Sequence, residues 1–183
     1  MNKYYLNTPL TKEAIKPLQS GDKVFISGTI YTARDAAHKR VLELQDAGKE
    51  LPLPIENQII YYVGPAPTPP GKSMGSAGPT TSYRMDPYTP PLLESGLSGM
   101  IGKGPRSQEV IDSIVKNGAV YFAAVGGAAA LIASSVLSKE LIAYPDLGPE
   151  AIFKLEVKNF PCIVAVDSQG NDLFKTEIEK YKS

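Results

Sequence analysis

Short runs of β-branched and aromatic residues alternate along this chain with segments of helical period, joined by glycine- and proline-rich junctions. That alternation constrains the fold more than any other feature, because interleaved strands and helices pack as an α/β domain around a mixed sheet. Residues 24–31 follow the turn Ser20-Gly21-Asp22 and read as a strand. Thr32-Ala33-Arg34-Asp35 matches a capping box with Thr32 as the N-cap. It predicts a helix with Ala37, Val41 and Leu44 inward and Gly48 at its end. Residues 59–63 form a second strand. Residues 64–79 then carry no regular period and are too proline-rich for a helix or a central strand. Loops of this length in compact domains are functional or disordered.

The stretch from Ser76 to Arg84 reads as the start of a helix, which Pro87 limits to about two turns. Thr89-Pro90 opens another short helix, ended by Gly96. Residues 99–101 are a short strand running into Gly102-Lys-Gly-Pro-Arg-Ser107. Ser107 caps an amphipathic helix with Val110, Ile111, Ile114 and Val115 inward and Gly118 at its end. Residues 120–125 are a buried strand, Gly126-Gly127 leads into an alanine-rich helix over 128–137, and 141–144 and 162–166 are further strands. The last is followed by the turn Asp167-Ser-Gln-Gly170. No internal repeat or dividing linker is visible, so residues 1–183 are expected to form a single domain, a length that suits one substantial core.

Lys plus Arg and Asp plus Glu are 19 each, so no bulk field attracts nucleic acid or anionic lipid. An anion must be held by local geometry. Cys162 is the only cysteine and His38 the only histidine. That count excludes an internal disulfide, a Cys/His zinc site and an iron–sulfur cluster held by this chain alone. The opening residues, Met1 to Leu10, carry no apolar signal core, and the apolar stretch 119–133 is too short and broken to span a bilayer. A cytoplasmic protein is expected.

Three strand-to-helix junctions carry polar residues that packing alone leaves idle: Arg34-Asp35, Gly78-Pro-Thr-Thr-Ser-Tyr-Arg84 and Gly102-Lys-Gly-Pro-Arg-Ser107. In open α/β sheets such junctions gather at the carboxyl ends of strands, where ligands bind. Thr80 and Arg84 are four apart, so on a helix they share one face about 6 Å apart. Helix N-termini favour anions, and Arg34, Arg84 and Lys103 together can neutralise a dianion. Plainer roles compete. Thr80 or Thr81 suits a helix cap, and an Arg-Asp pair at a helix start suits a surface ion pair. The Gly102–Ser107 segment lacks Walker spacing, and Gly126-Gly127 lacks a dinucleotide fingerprint. His38 reads as a structural histidine, and Tyr61 and Tyr62 as strand packing. Residue types and spacing alone give an anion-binding α/β domain.

Several segments with matched spacing resemble the C-terminal domain of class I (iron–sulfur) fumarate hydratases and the beta subunit of their two-chain relatives. They are Ser27-Gly-Thr-Ile-Tyr-Thr-Ala-Arg-Asp-Ala-Ala-His38, Ile60-Tyr-Tyr-Val-Gly-Pro-Ala66, Gly78-Pro-Thr-Thr-Ser-Tyr-Arg-Met-Asp86, Lys103-Gly-Pro-Arg-Ser107 and Ala143-Tyr-Pro-Asp-Leu-Gly148. The resemblance implies a swivelling β/β/α domain and reversible hydration of fumarate to L-malate. It implies a 4Fe–4S cluster carried by a partner alpha subunit and none by this chain. It implies that Arg34, Arg84 and Lys103 bind the carboxylates of a small dicarboxylate, and that Thr80 is the base for the carbon-bound proton. The beta subunit of L-tartrate dehydratase shares Gly-Pro-Thr-Thr and the Arg-Asp element. Lys103-Gly-Pro-Arg-Ser107 is the pattern associated with fumarases. A non-catalytic dicarboxylate-binding module is the rival from another class.

Overall fold

A computed structural model describes residues 1–75, 77–124 and 129–182. Its strands are β1 (Lys3–Asn7), β2 (Lys23–Thr32), β3 (Ile59–Tyr61), β4 (Gly99–Gly102), β5 (Val120–Ala124), β6 (Val136–Ala143) and β7 (Ile152–Val166). The α-helices are α1 (Lys12–Ile15), α2 (Asp35–Asp46), α3 (Thr89–Glu94), α4 (Gln108–Asn117), α5 (Ala129–Ser134) and α6 (Leu173–Tyr181). Two 3-10 helices, Ser82–Tyr88 and Pro145–Glu150, complete the described elements.

The sheet is mixed, as the alternation implies, and it also closes. Strands β1 to β5 are joined in parallel in that order, and β7 then pairs antiparallel with both β5 and β2. The ring β2-β3-β4-β5-β7 is therefore a five-stranded barrel, with β1 added beside β2 and β6 beside β7. Closure depends on the length of β7. Its first half lies between β6 and β2, and its second half between β5 and β2. The change of neighbour falls at a bulge, where the register shifts between Ile26 and Gly28. Gly28 has φ +114°, and a Cβ there would stand 2.3 Å from Thr8 Oγ1, so glycine is needed.

Alternation along β3 shows how the core divides. Ile59, Tyr61 and Val63 join a cluster with Val24, Ile26, Phe122 and Phe160. Ile60 and Tyr62 join a second cluster with Ala37, Val41, Leu92, Met100 and Ile114, under α2, α3 and α4. Both faces of this strand are buried, as expected of parallel strands with helices packed on them.

Several boundaries differ from expectation. Thr32 is the last residue of β2, fully buried, with its hydroxyl accepting from Phe153 N–H, and the N-cap of α2 is Arg34. Pairing with β7 won over the capping box. Residues 82–88 form a 3-10 helix that passes through Pro87, so Thr80 precedes the helix instead of sharing a face with Arg84. Val115 is 45% exposed, because it lies about 100° further round α4 than Ile114. Val136 and Leu137 belong to β6, where edge pairing with β7 ends the alanine-rich helix early. Strand 120–125 is β5 as far as Ala124, while Ser76, Val125 and Gly126-Gly127 lie outside the described residues.

Candidate active site

Strands β2, β3 and β4 are parallel neighbours, so their carboxyl ends share one edge of the barrel. The first group on that edge is Arg34. Ala33 N–H donates to the Tyr61 carbonyl (3.1 Å), which holds the β2 exit against β3. The Arg34 carbonyl then accepts both the His38 N–H (2.9 Å) and His38 Nδ1–H (2.8 Å), which fixes the first turn of α2. Burial of His38 pushes its pKa down from 6.5 to about 4, so the imidazole is neutral and donates through Nδ1. It is the structural histidine expected from sequence. The Arg34 side chain lies across Gly64, where a Cβ would stand 3.1 Å from Cδ and 3.2 Å from Nη1. Its Nε is 3.5 Å from Glu150 Oε1.

The second segment arrives through the long loop. Residues 64–75 and 77–79 have no regular element, as anticipated. The loop is anchored at its end by Tyr61, whose phenol donates to the Ala77 carbonyl, and by Thr80 N–H to the Tyr62 carbonyl (2.7 Å). Thr81 pairs with Lys103 in an isolated parallel bridge, and Ser82 N–H donates to the Lys103 carbonyl (2.9 Å). Lys103 N–H returns to Ser82 Oγ (3.1 Å). The Tyr121 phenol is hydrogen-bonded to Ser82 Oγ (2.7 Å) and to the Gly104 carbonyl (2.8 Å), and burial pushes its pKa up, so it stays protonated. Gly102 makes this possible, since a Cβ there would meet Ser82 Oγ at 1.9 Å.

Thr80 is thus threaded between the ends of β3 and β4, with Lys103 at the end of β4 and Arg84 on the following 3-10 helix. Neither threonine serves as a side-chain cap: Thr81 is the N-cap of 82–88 without a side-chain bond, and the Thr80 hydroxyl makes none among the described residues. Thr81 thus holds the cap position expected of one of these threonines, but without a capping side chain. Arg84 Nε donates to Asp35 Oδ2 (3.0 Å), which ties the 3-10 helix to the start of α2. The ion pair expected between Arg34 and Asp35 is therefore absent. Asp35 holds Arg84, and Arg34 faces Glu150. Nothing in the sequence marked Glu150, which is 116 positions from Arg34 and arrives on the β6–β7 connection. Arg84 and Lys103 are exposed, and the Lys103 ammonium has no ion pair among the described residues.

Arg106, quoted in the sequence motif but given no role there, proves structural. It is buried, with Nε donating to Asp86 Oδ1 (2.7 Å) and Nη2 to Thr89 Oγ1 (2.8 Å) and to the Tyr62 hydroxyl (3.3 Å). It anchors the segment that carries Arg84.

No group of three or more His, Cys, Asp or Glu side chains among the described residues is arranged to hold a metal ion. Cys162 is buried, and burial pushes its thiol pKa up, away from the thiolate that a metal would take. The residues of this chain do not fit an iron–sulfur cluster. No helix among the described residues is long and apolar enough to cross a membrane.

Fold and site together define an α/β barrel domain that presents three cations and an unused hydroxyl along one strand edge. A family model described as the fumarase C-terminus matches residues 1–177. The chain belongs to that family. It is 46% identical over 180 residues to the anaerobic class I fumarate hydratase of Escherichia coli K12, covering 96% of this chain and 33% of that protein. It is 40% identical over 173 residues to fumarate hydratase 2 of Leishmania major, covering 92% and 30%. A protein of Methanocaldococcus jannaschii named, provisionally, as an L(+)-tartrate dehydratase subunit beta is 41% identical over 182 residues, covering 96% and 93%. The chain thus spans about a third of the length of the fumarate hydratases it matches, and nearly the whole of the tartrate dehydratase subunit.

Proposed function

We propose that this chain is the beta subunit of a two-subunit iron–sulfur fumarate hydratase, catalysing reversible hydration of fumarate to L-malate with a cluster-bearing alpha subunit. The observation that carries the reading is the placement of Arg34, Thr80, Arg84 and Lys103 at adjacent strand ends of one barrel edge. Exposed cations on such an edge are screened by water, and they become effective only when another surface covers them. In this reading the barrel with its helices is the swivelling β/β/α unit, a single cytoplasmic domain that closes on the alpha subunit. The electrophile, a 4Fe–4S cluster, belongs to that partner.

The chain's own residues then have defined tasks. Arg34, Arg84 and Lys103 bind the two carboxylates of the diacid. As the proton leaves the carbon next to a carboxylate, negative charge spreads onto that carboxylate, and the guanidinium and ammonium groups stabilise it. Thr80 Oγ receives that proton. A threonine hydroxyl is a weak base, so this role requires its oxygen to be ionised by neighbouring cations in a dry site. Lys103, whose backbone pairs with Thr81, and Arg84 on the following 3-10 helix are the cations this reading assigns to that task.

The decisive experiment is anaerobic co-expression with a cluster-bearing alpha-type chain, followed by assay of malate and fumarate interconversion. Activity of the complex and none of the isolated chain is expected. Fumarate hydration by the metal-free chain alone, or binding of a dicarboxylate with no need of a partner, would overturn the assignment. A tartrate substrate is the second reading, favoured by the near full-length match to a separate subunit of that name. Comparing L-malate and L-tartrate turnover by the complex separates the two.

A further inference from the structure

We propose that Asp35 is a positioning residue for the diacid site, holding Arg84 so that its terminal Nη1/Nη2 edge faces the substrate carboxylate. The inference rests on the substrate-binding role of Arg84 proposed above. An arginine can meet a carboxylate through two bidentate edges, the side edge Nε/Nη and the end edge Nη1/Nη2. Asp35 Oδ2 occupies Nε of Arg84 at 3.0 Å, which removes the side edge. Neither Nη nitrogen of Arg84 has a bond among the described residues, so the end edge stays open.

The backbone that carries the carboxylate is well fixed. Asp35 is the first residue of α2, directly after the Arg34 carbonyl that His38 holds through two bonds. Arg84, by contrast, sits on a seven-residue 3-10 helix with its side chain 46% exposed, and has no ion pair other than Asp35 among the described residues. Without that contact the long side chain is free to sample several rotamers. Two plainer roles for Asp35 do not account for the geometry. It makes no cap bond to a helix N–H, and its Oδ1 is buried without a partner among the described residues, so capping does not direct the carboxylate towards Arg84. As a surface ion pair it is too exposed to matter for stability.

The test is a double-mutant cycle of Asp35→Asn, Arg84→Ala and the pair in the assembled enzyme, together with the guanidinium NMR spectrum of the chain alone. Asp35→Asn is isosteric and leaves Arg84 charged. It is expected to raise KM for the diacid and to lower kcat/KM about tenfold, the size of coupling typical of contacting residues. A merely structural role would lower the active fraction, and hence kcat, at unchanged KM. With Arg84 already removed, Asp35→Asn is expected to add nothing. In the spectrum, the Arg84 Nε–H signal should exchange slowly and lose that protection in Asp35→Asn. If Arg84→Ala impairs the enzyme but Asp35→Asn multiplies the loss in full, positioning is refuted while the site assignment stands. If Arg84→Ala leaves kcat/KM unchanged, the site assignment fails, and this inference with it.

Discussion

Replacing Arg106 by methionine should destabilise the chain by about 3 kcal/mol, without any contact to substrate. The guanidinium is fully buried and Asp86, its partner, is only 13% exposed. Methionine fills much of the same space, so the cost comes from polar groups left behind. Loss of one partner of a buried pair typically costs about 3–5 kcal/mol. Asp86 keeps the Ser107 N–H at 2.9 Å, and Thr89 Oγ1 keeps its bond to the Met85 carbonyl, which places the loss near the lower end of that range. The Tyr62 and Tyr121 rings, with centroids 5.2 and 4.9 Å from the Arg106 guanidinium carbon, lose a desolvated cation as well. Urea denaturation of the isolated chain gives the number directly. Adding Asp86→Asn to Arg106→Met should recover part of the loss, because the stranded charge is then gone while Asn can still accept from Ser107. A loss below about 1 kcal/mol, or strict additivity of the two substitutions, would falsify the claim that this buried pair anchors the 82–88 segment.

Stability should also fall as pH drops from 6.5 to about 4, because the unfolded chain protonates His38 while the folded chain keeps it neutral. That interval converts to about 3 kcal/mol at full effect, and equal pH slopes for wild type and His38→Gln in urea melts would rule it out. Gly102→Ala forces a methyl group to within 1.9 Å of Ser82 Oγ and 2.9 Å of Tyr62 Cδ2. It should cost about 1–3 kcal/mol in a thermal or urea melt and reduce activity of the complex by displacing Lys103. Thr80→Val, which keeps shape and removes the hydroxyl, should lower kcat at least about a hundredfold with KM little changed if the hydroxyl carries the proton. A kcat within a few fold of wild type would move that role elsewhere.

The sequence was most legible where one local rule acted alone. Ser107 accepts from Val110 N–H and Gly118 takes φ +66° at the end of α4, as the cap residues require. The Asp167–Gly170 turn is likewise closed by Asp167 Oδ1 receiving the Gln169 and Asn171 N–H groups. Legibility failed where distant pairing set the outcome. The first half of β7 alternates Phe153, Leu155 and Val157 with Lys154, Glu156 and Lys158, a period of two that suits a strand, but only its flanking partners β6 and β2 show that it runs unbroken into 162–166. Thr32 looked like a cap because its four-residue window could not show Phe153 N–H waiting across the barrel. Strand β1 and helix α6 went unread. β1 exposes every second residue, and α6 buries none of its own fully, so neither carries a firm hydrophobic period.

The candidate site shows the same division. Residue types at the junctions singled out candidates, because arginines, lysine and threonine after strands have little to do in packing. What ties them to one another could not be read from spacing. Thr80 and Arg84 are not neighbours on a helix, and the site takes its shape from contacts between segments far apart in sequence: Thr81 on Lys103, Ser82 on Lys103, and Asp35 on Arg84. These contacts exist because parallel order places β2, β3 and β4 side by side, so each strand end delivers its group to the same edge. An edge assembled this way is tied together through its backbone and leaves Arg84 and Lys103 exposed. That combination is what the proposed function asks of this chain, in which the barrel sets where the cations stand and the proposed alpha subunit supplies the low-dielectric cover that gives them strength.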